Sequence, residues 1–127
     1  MLSPGPVFDA YVMVDWSAES RPKTGPDSIW IAIRDHDGVE TVQNPPTRDH
    51  AMAVLADILS DYAARGRHVL VGFDFALGLP RGAMTRLGCK DWRSLWRRLR
   101  SLVGDSADNA NSRFAAAAQL NQQLSGG

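Results

Sequence analysis

Two aspartates, each next to an apolar run, are the residues of this sequence best suited to do chemistry. Asp15 follows Tyr11–Val14, and Asp74 lies inside the run HVLVGFDFALGLP, from His68 to Pro80. An unpaired carboxylate in apolar surroundings costs several kcal/mol, so its charge requires hydrogen bonds, a cation or a metal as partner. If both runs are strands of one sheet, the two aspartates would form an acidic site at its edge.

Carboxylates placed in this way are suited to holding hard divalent cations. Two such ions about 3.5 to 4 Å apart can activate a water and stabilise the leaving oxygen of a phosphodiester. Oxygen ligands, without a cluster of His and Cys in the sequence, favour Mg²⁺ or Mn²⁺. Asp15 and Asp74 are therefore predicted to be catalytic residues and metal ligands. The alternative for each is a structural acid at a strand end, bonded to backbone or to an arginine.

Four further residues are candidates for binding an anionic substrate. Ser17 and Lys23 lie in a loop rich in Ser, Pro and Gly, where a hydroxyl and an ammonium group could hold phosphate oxygens. Arg93 and Arg97 lie on the polar side of a later helix. Contacts from these arginines to nucleic-acid phosphates would make binding fall steeply with salt. An ordinary polar loop and a solvated helix face are the alternatives.

The 127 residues predict a single domain, residues 1–127, with a formal net charge of zero. The charge is unevenly distributed, because residues 1–80 carry eleven acids and six bases whereas residues 81–127 carry three acids and eight bases. This division suits an acidic part that holds metal and a basic part that holds an anion.

Three observations bear on compartment and partners. The one cysteine, Cys89, excludes an internal disulfide and a cysteine-rich metal site. No apolar run approaches the roughly 20 residues that cross a bilayer, and the first ten residues lack the pattern of a secretory signal. We expect a cytoplasmic protein with no membrane partner.

Hydrophobic periodicity and turn residues predict the element order β-β-β-α-β, followed by helices, and hence an α/β fold with one mixed sheet. Thr47 and Asp91 are predicted to cap the starts of two helices, and Gly66 to lie at the end of the first. The predicted strands span residues 9–16, 28–35, 39–43 and the 68–80 run; the predicted helices span residues 48–65, 91–103 and 112–124. The Asp37-Gly38 pair predicts a tight hairpin between the second and third strands. The helix after residue 91 is predicted to bury one stripe, made of Trp92, Leu95, Trp96, Leu99 and Val103.

This order, with an aspartate on the first strand and another on the fourth, resembles the ribonuclease H-like fold. The segments VDWSAESRPKTGPDSIWIAIRD and VLVGFDFALGLPRG resemble predicted nucleases of the DUF429 type, whose D-x-x-x-G-x-P pattern is matched by Asp74, Gly78 and Pro80. The resemblance implies a metal-dependent nuclease or phosphodiesterase acting on nucleic acid, with the two aspartate strands as central neighbours.

The same resemblance implies more acids than these two. Nucleases of this fold use three or four carboxylates, and the further acids available here are Asp49, Asp57, Asp61, Asp105 and Asp108. The fold also has elements beyond those predicted, so we expect an incomplete version of it, from a fragment or a short variant of a longer protein.

Two other functions fit the sequence. An actin-like domain also begins with an aspartate-bearing strand followed by a small hydroxyl residue, and it would bind ATP through DWSA and FDFALG. A non-catalytic module could keep the fold and act in binding or assembly. The oligomeric state is not predicted.

Overall fold

The computed structural model describes residues 5–126, which form four strands and four helices. These are β1 (Ala10–Asp15), β2 (Trp30–Asp35), β3 (Glu40–Gln43), α1 (Arg48–Ala64), β4 (Val69–Phe73), α2 (Ala83–Arg86), α3 (Trp92–Leu102) and α4 (Arg113–Ser125). The predicted order β-β-β-α-β followed by helices is confirmed. The described residues form two compact units: the sheet unit, up to Phe75 with Ala107–Asn109, and the helical unit, Ala76–Ser106 with residues from Ala110 onward. The single domain expected from the length stays a prediction.

The sheet unit is built on one mixed sheet with the strand order β3-β2-β1-β4. β1 pairs antiparallel with β2 and parallel with β4, and β2 pairs antiparallel with β3. The predicted mixed α/β sheet is therefore confirmed. A parallel pair needs a crossover connection, which α1 provides between β3 and β4.

The hairpin between β2 and β3 closes through a side chain as well as through glycine. Asp35 Oδ1 accepts hydrogen bonds from the backbone N–H groups of Asp37, at 3.0 Å, and Val39, at 2.9 Å. Gly38 has a φ of 79°, which an L side chain rarely adopts. The predicted Asp-Gly turn is thus present where the sequence places it.

The core of the sheet unit lies between one face of the sheet and α1. Val12, Val14 and Ile31 are buried from the sheet side, and Ala51 and Leu55 from the helix side. Strand side chains alternate between faces, so the opposite face is exposed along its length. It carries Tyr11, Met13, Trp30, Val42 and Leu70. The near-continuous apolar character of β4 is typical of a strand covered on both faces, but only the face towards α1 is covered, and Leu70 on the other face is 44% exposed.

Both ends of α1 follow the sequence signals. Thr47 Oγ1 accepts a hydrogen bond from His50 N at 3.1 Å, which satisfies a backbone donor that the helix leaves unpaired. Gly66, just past the C-cap residue Arg65, has a φ of 65° and lets the chain turn towards β4.

Two predicted features of the later chain differ from the structure. β4 ends at Phe73, well before Pro80, because the chain bends at Asp74 and leaves the ladder. α3 begins with a capping box between Asp91 and Ser94, yet of the predicted stripe only Leu95 is fully buried, at 4% exposure. Trp92 is 62% exposed and Trp96 36% exposed, so the prediction that these tryptophans are buried is wrong for both, and more so for Trp92.

A buried arginine and a buried asparagine hold together three segments of the sheet unit. The guanidinium group of Arg48 donates to the carbonyl oxygens of Ser17 at 3.1 Å, Glu19 at 2.8 Å and Asn109 at 2.7 Å. Asn109 Oδ1 in turn accepts from Arg48 N at 2.8 Å. Arg48 is 7% exposed and Asn109 2% exposed, so these bonds are shielded from water. The loop that follows β1 is thereby fixed to the start of α1.

Asn109→Ala should lower the free energy of unfolding by about 2–4 kcal/mol, measured by urea denaturation. The change removes the acceptor for Arg48 N and the two donor contacts to the carbonyl oxygens of Arg21 and Pro46. It also places alanine at a φ of 72°. Asn109→Gly tolerates this φ and should still lose roughly 1 kcal/mol or more from the missing bonds.

The control is Asn121→Ala, at an exposed position of α4, which should change stability by no more than about 0.5 kcal/mol. An Asn109→Ala variant as stable as this control would show that the buried hydrogen bonds contribute nothing.

Candidate functional site

β1 and β4 bring their C-terminal ends to the same edge of the sheet. In the parallel register Val14 lies beside Phe73, so the next residues along each strand are Asp15 and Asp74. Asp15 is the last residue of β1, and Asp74 is the first residue after β4. The structure therefore brings together the two aspartates that the sequence singles out, although they are 59 residues apart in the chain.

The two carboxyl groups lie close enough to share a hydrogen bond. This bond is the main cause that raises the pKa of Asp15 above its usual value of 3.8, with smaller contributions from burial and from the charge of Asp74. The pKa of Asp74 is lowered instead, chiefly because its carboxylate accepts the backbone N–H of Trp16. Two neighbouring carboxylates repel each other when both are ionised, and a shared proton or a shared cation relieves that repulsion.

The sequence predicts that these acids need a metal or another partner because apolar residues surround them, and this premise is wrong. Both carboxylates are exposed, rather than buried among apolar neighbours. β4 ends one residue before Asp74, and Asp15 lies on the sheet face opposite α1, so water reaches both groups. Any preference of this site for a cation would therefore come from the two neighbouring negative charges and not from desolvation of the acids.

Trp16 fixes the orientation of Asp74 through its backbone. Its N–H donates to Asp74 Oδ1 at 2.9 Å. Its half-buried ring packs edge-on against Phe73 and Phe75, with both ring centroids 6.3 Å away. Trp16 also packs against the buried cluster of the sheet unit. No local sequence pattern indicates this bond, because its two partners lie 58 residues apart in the chain.

Ser17 and Lys23 lie in the loop that follows Asp15, where their polar groups already have partners. Ser17 Oγ donates to the Asp27 carbonyl at 3.3 Å and accepts from Glu19 N at 3.2 Å. Lys23 Nζ lies 4.0 Å from Asp27 Oδ2. Together with Glu19 and neighbouring residues, Lys23 lines an open cavity of about 400 Å³.

Arg93 and Arg97 are exposed on α3, within the helical unit. The guanidinium carbon of Arg93 lies 5.2 Å from the ring centroid of Trp92. The two arginines, Trp92, Trp96 and Arg100 line a shallow groove of about 380 Å³. Their placement on a solvated helix face is as predicted, and their contact with a substrate stays a prediction.

A second acidic group, at the turn between β2 and β3, could hold a metal ion. One ligand atom from each of Asp35, His36 and Asp37 lies within 4.8 Å of the others, and within residues 5–126 no other group of three such side chains does so. No third acid therefore joins Asp15 and Asp74 in the described part of the chain. Asp35 already accepts two backbone N–H groups of its hairpin, which accounts for its position without a metal.

Comparison of the chain with models of known families, with characterised proteins and with solved structures finds no match. Among the described residues, no helix combines the length and the apolar character that a membrane span requires.

Asp74→Asn should lower the pKa of Asp15. The change removes the acidic hydrogen-bond partner and the negative charge that both raise it, while the amide introduced at position 74 can donate to the Asp15 carboxylate. The measurement is a pH titration of the Asp15 carboxyl carbon by NMR with EDTA present. Asp57→Asn, on exposed α1 surface, should leave the Asp15 titration where it is. An Asp15 pKa that is unchanged or higher in Asp74→Asn would mean that the two carboxyl groups do not interact in solution.

Proposed function

We propose that this chain is a ribonuclease H-like domain of the DUF429 type that acts as a metal-dependent phosphodiesterase on nucleic acid. The observation that carries the proposal is the contact between Asp15 and Asp74 at the shared end of two parallel strands. The order of the elements and the mixed sheet support the same assignment.

The side chains at this edge fit a single divalent cation. Two carboxylates, both open to water and already in contact, supply hard oxygen ligands, and Mg²⁺ or Mn²⁺ commonly keeps several waters beside one or two carboxylates. Such an ion, when bound, would polarise a phosphoryl oxygen and lower the pKa of a coordinated water.

The chain's own groups have separable tasks in this proposal. Asp15 and Asp74 hold the cation, and the Trp16 N–H keeps one Asp74 oxygen turned towards β1. Arg48 acts as a positioning residue, because its bonds to Ser17 and Glu19 hold the loop that starts beside Asp15. The Ser17 hydroxyl and the Lys23 ammonium would have to exchange their present partners to bind phosphate oxygens.

Isothermal titration calorimetry, in which MnCl₂ is added to the metal-free protein, tests the cation site. Asp15→Asn and Asp74→Asn should each weaken binding by roughly 10-fold or more, because each removes a charged ligand. Asp37→Asn removes a ligand from the other acidic group and should have no effect. Loss of binding in Asp37→Asn, with binding kept in Asp15→Asn, would place the cation at the hairpin and overturn the proposal.

Cleavage of labelled single-stranded RNA and DNA in Mg²⁺ tests the activity. The wild-type protein should cleave, and EDTA or Asp15→Asn should reduce the rate by about 100-fold or more. Cleavage that persists in the metal-free protein would contradict the proposed mechanism.

One observation favours a binding module instead of an enzyme. Within residues 5–126, no third acidic or histidine side chain joins Asp15 and Asp74, whereas the nucleases of the resembled fold use three or four carboxylates. Binding of Mn²⁺ and of nucleic acid without any cleavage would support this second function.

A further inference from the structure

α3 presents two exposed tryptophans one helical turn apart. Trp92 is 62% exposed and Trp96 is 36% exposed, on a helix that otherwise has an apolar stripe and a basic side. Residues i and i+4 of a helix lie on one face, about 6 Å apart along the axis, so the two indole side chains make an exposed aromatic strip on one face of α3. Large aromatic surface of this kind is costly to leave in water.

A row of arginines runs beside this strip. Arg93, Arg97 and Arg100 are all exposed, and none of the three forms an ion pair with a carboxylate in residues 5–126. The nearest acid along the helix, Asp91, is engaged as the N-cap, where its Oδ1 accepts Ser94 N at 2.7 Å. That bond is the main cause that lowers the pKa of Asp91, and the charge of Arg97 contributes only a minor part. The strip and the row together line the groove of about 380 Å³, so the face offers flat apolar surface and positive charge side by side.

This combination does not fit insertion into a lipid bilayer. A helix that lies in a membrane surface turns its whole apolar stripe towards the acyl chains. In α3 the centre of the stripe, Leu95, is 4% exposed, and Leu99 is half-buried, because both pack within the protein. What remains exposed is aromatic and cationic, which matches a ligand that alternates planar rings with anionic groups.

We propose that the face formed by Trp92, Arg93, Trp96, Arg97 and Arg100, here called the Trp-Arg face, binds single-stranded nucleic acid. Bases of a single strand are free to stack on the two indole rings, while the three guanidinium groups contact phosphates. The bases of a duplex are already stacked on one another and cannot reach the rings. The proposal rests on the proposed function for the identity of the ligand, and it does not depend on metal binding at Asp15 and Asp74.

Fluorescence anisotropy with a 12-nucleotide fluorescein-labelled oligouridylate, in EDTA, tests the stacking. Trp92→Ala and Trp96→Ala should each weaken binding by roughly 10-fold, and Trp92→Phe, which keeps an aromatic ring, should restore most of the affinity. The oligouridylate annealed to a complementary oligoadenylate should bind more weakly to the wild-type protein than the single strand does. An unchanged affinity in Trp92→Ala, or tighter binding of the duplex, would overturn the proposal.

The arginine row has a matched control in Arg81, an exposed arginine of the same helical unit outside the face. Arg97→Gln should weaken binding. It should also make the negative slope of log K against log salt shallower by about 0.7, the value for one lost phosphate contact on a single strand. Arg81→Gln makes the same change in net charge and should alter neither. Equal losses in the two variants would mean that net charge alone attracts the oligonucleotide, which overturns the proposal.

Two further arms separate this inference from its rivals. Vesicles containing about 30% phosphatidylserine should not sediment the wild-type protein; sedimentation that is lost in Trp92→Ala would assign the face to lipid. The single variants Asp15→Asn and Asp74→Asn should each keep full affinity for the oligouridylate in EDTA. If Trp92→Ala keeps its affinity while those two variants lose Mn²⁺ binding, the Trp-Arg face fails and the proposed metal site stands.

Discussion

The parallel pairing of β1 with β4 is the constraint on which the candidate site depends. Val69, Val71 and Phe73 must face the buried cluster around Val12 and Val14, and this sets the register of the two strands. A slip of one residue would turn those three side chains out of the core, so the register is strongly specified by hydrophobic burial. The contact between Asp15 and Asp74 is then a consequence of core packing, since each aspartate is the next residue along its strand.

The two acids are chemically unequal even though their carboxyl groups touch. Asp74 has a dedicated backbone donor in Trp16 N, which favours its charged form, whereas the hydrogen bond with Asp74 favours the protonated form of Asp15. A cation would replace that shared hydrogen bond. The surrounding loop has its own anchor, because the buried Arg48 bonds to two of its carbonyl oxygens and Asn109 closes the arrangement from a distant part of the chain. At this edge of the sheet, two exposed carboxyl groups therefore lie beside a loop that is hydrogen-bonded to the buried Arg48.

The acidic group at the β2–β3 hairpin has a structural role within the fold, whereas the basic side of α3 has none among the described contacts. The group Asp35, His36 and Asp37 satisfies the geometry of a metal site, but its first carboxylate is used to close a hairpin. The basic side of α3 is different, because the arginines of the Trp-Arg face form no ion pairs with carboxylates in the described residues and lie beside exposed indole rings. The proposed single-stranded ligand would use both the positive charge and the exposed aromatic surface of this face.

The sequence by itself determined the order of the elements, the turn at Gly38, the caps Thr47 and Asp91, and the choice of Asp15 and Asp74. These follow from local rules: periodicity, turn chemistry and capping act over a few residues. Only the tertiary structure decided that both acids are exposed, that Trp16 N binds Asp74, and that Arg48 is buried against Asn109. Those outcomes depend on where β4 leaves the sheet and on which segments meet across the fold. The exposure of Trp92 has the same origin, since an apolar stripe specifies which side of a helix can pack but not how much of it finds a partner.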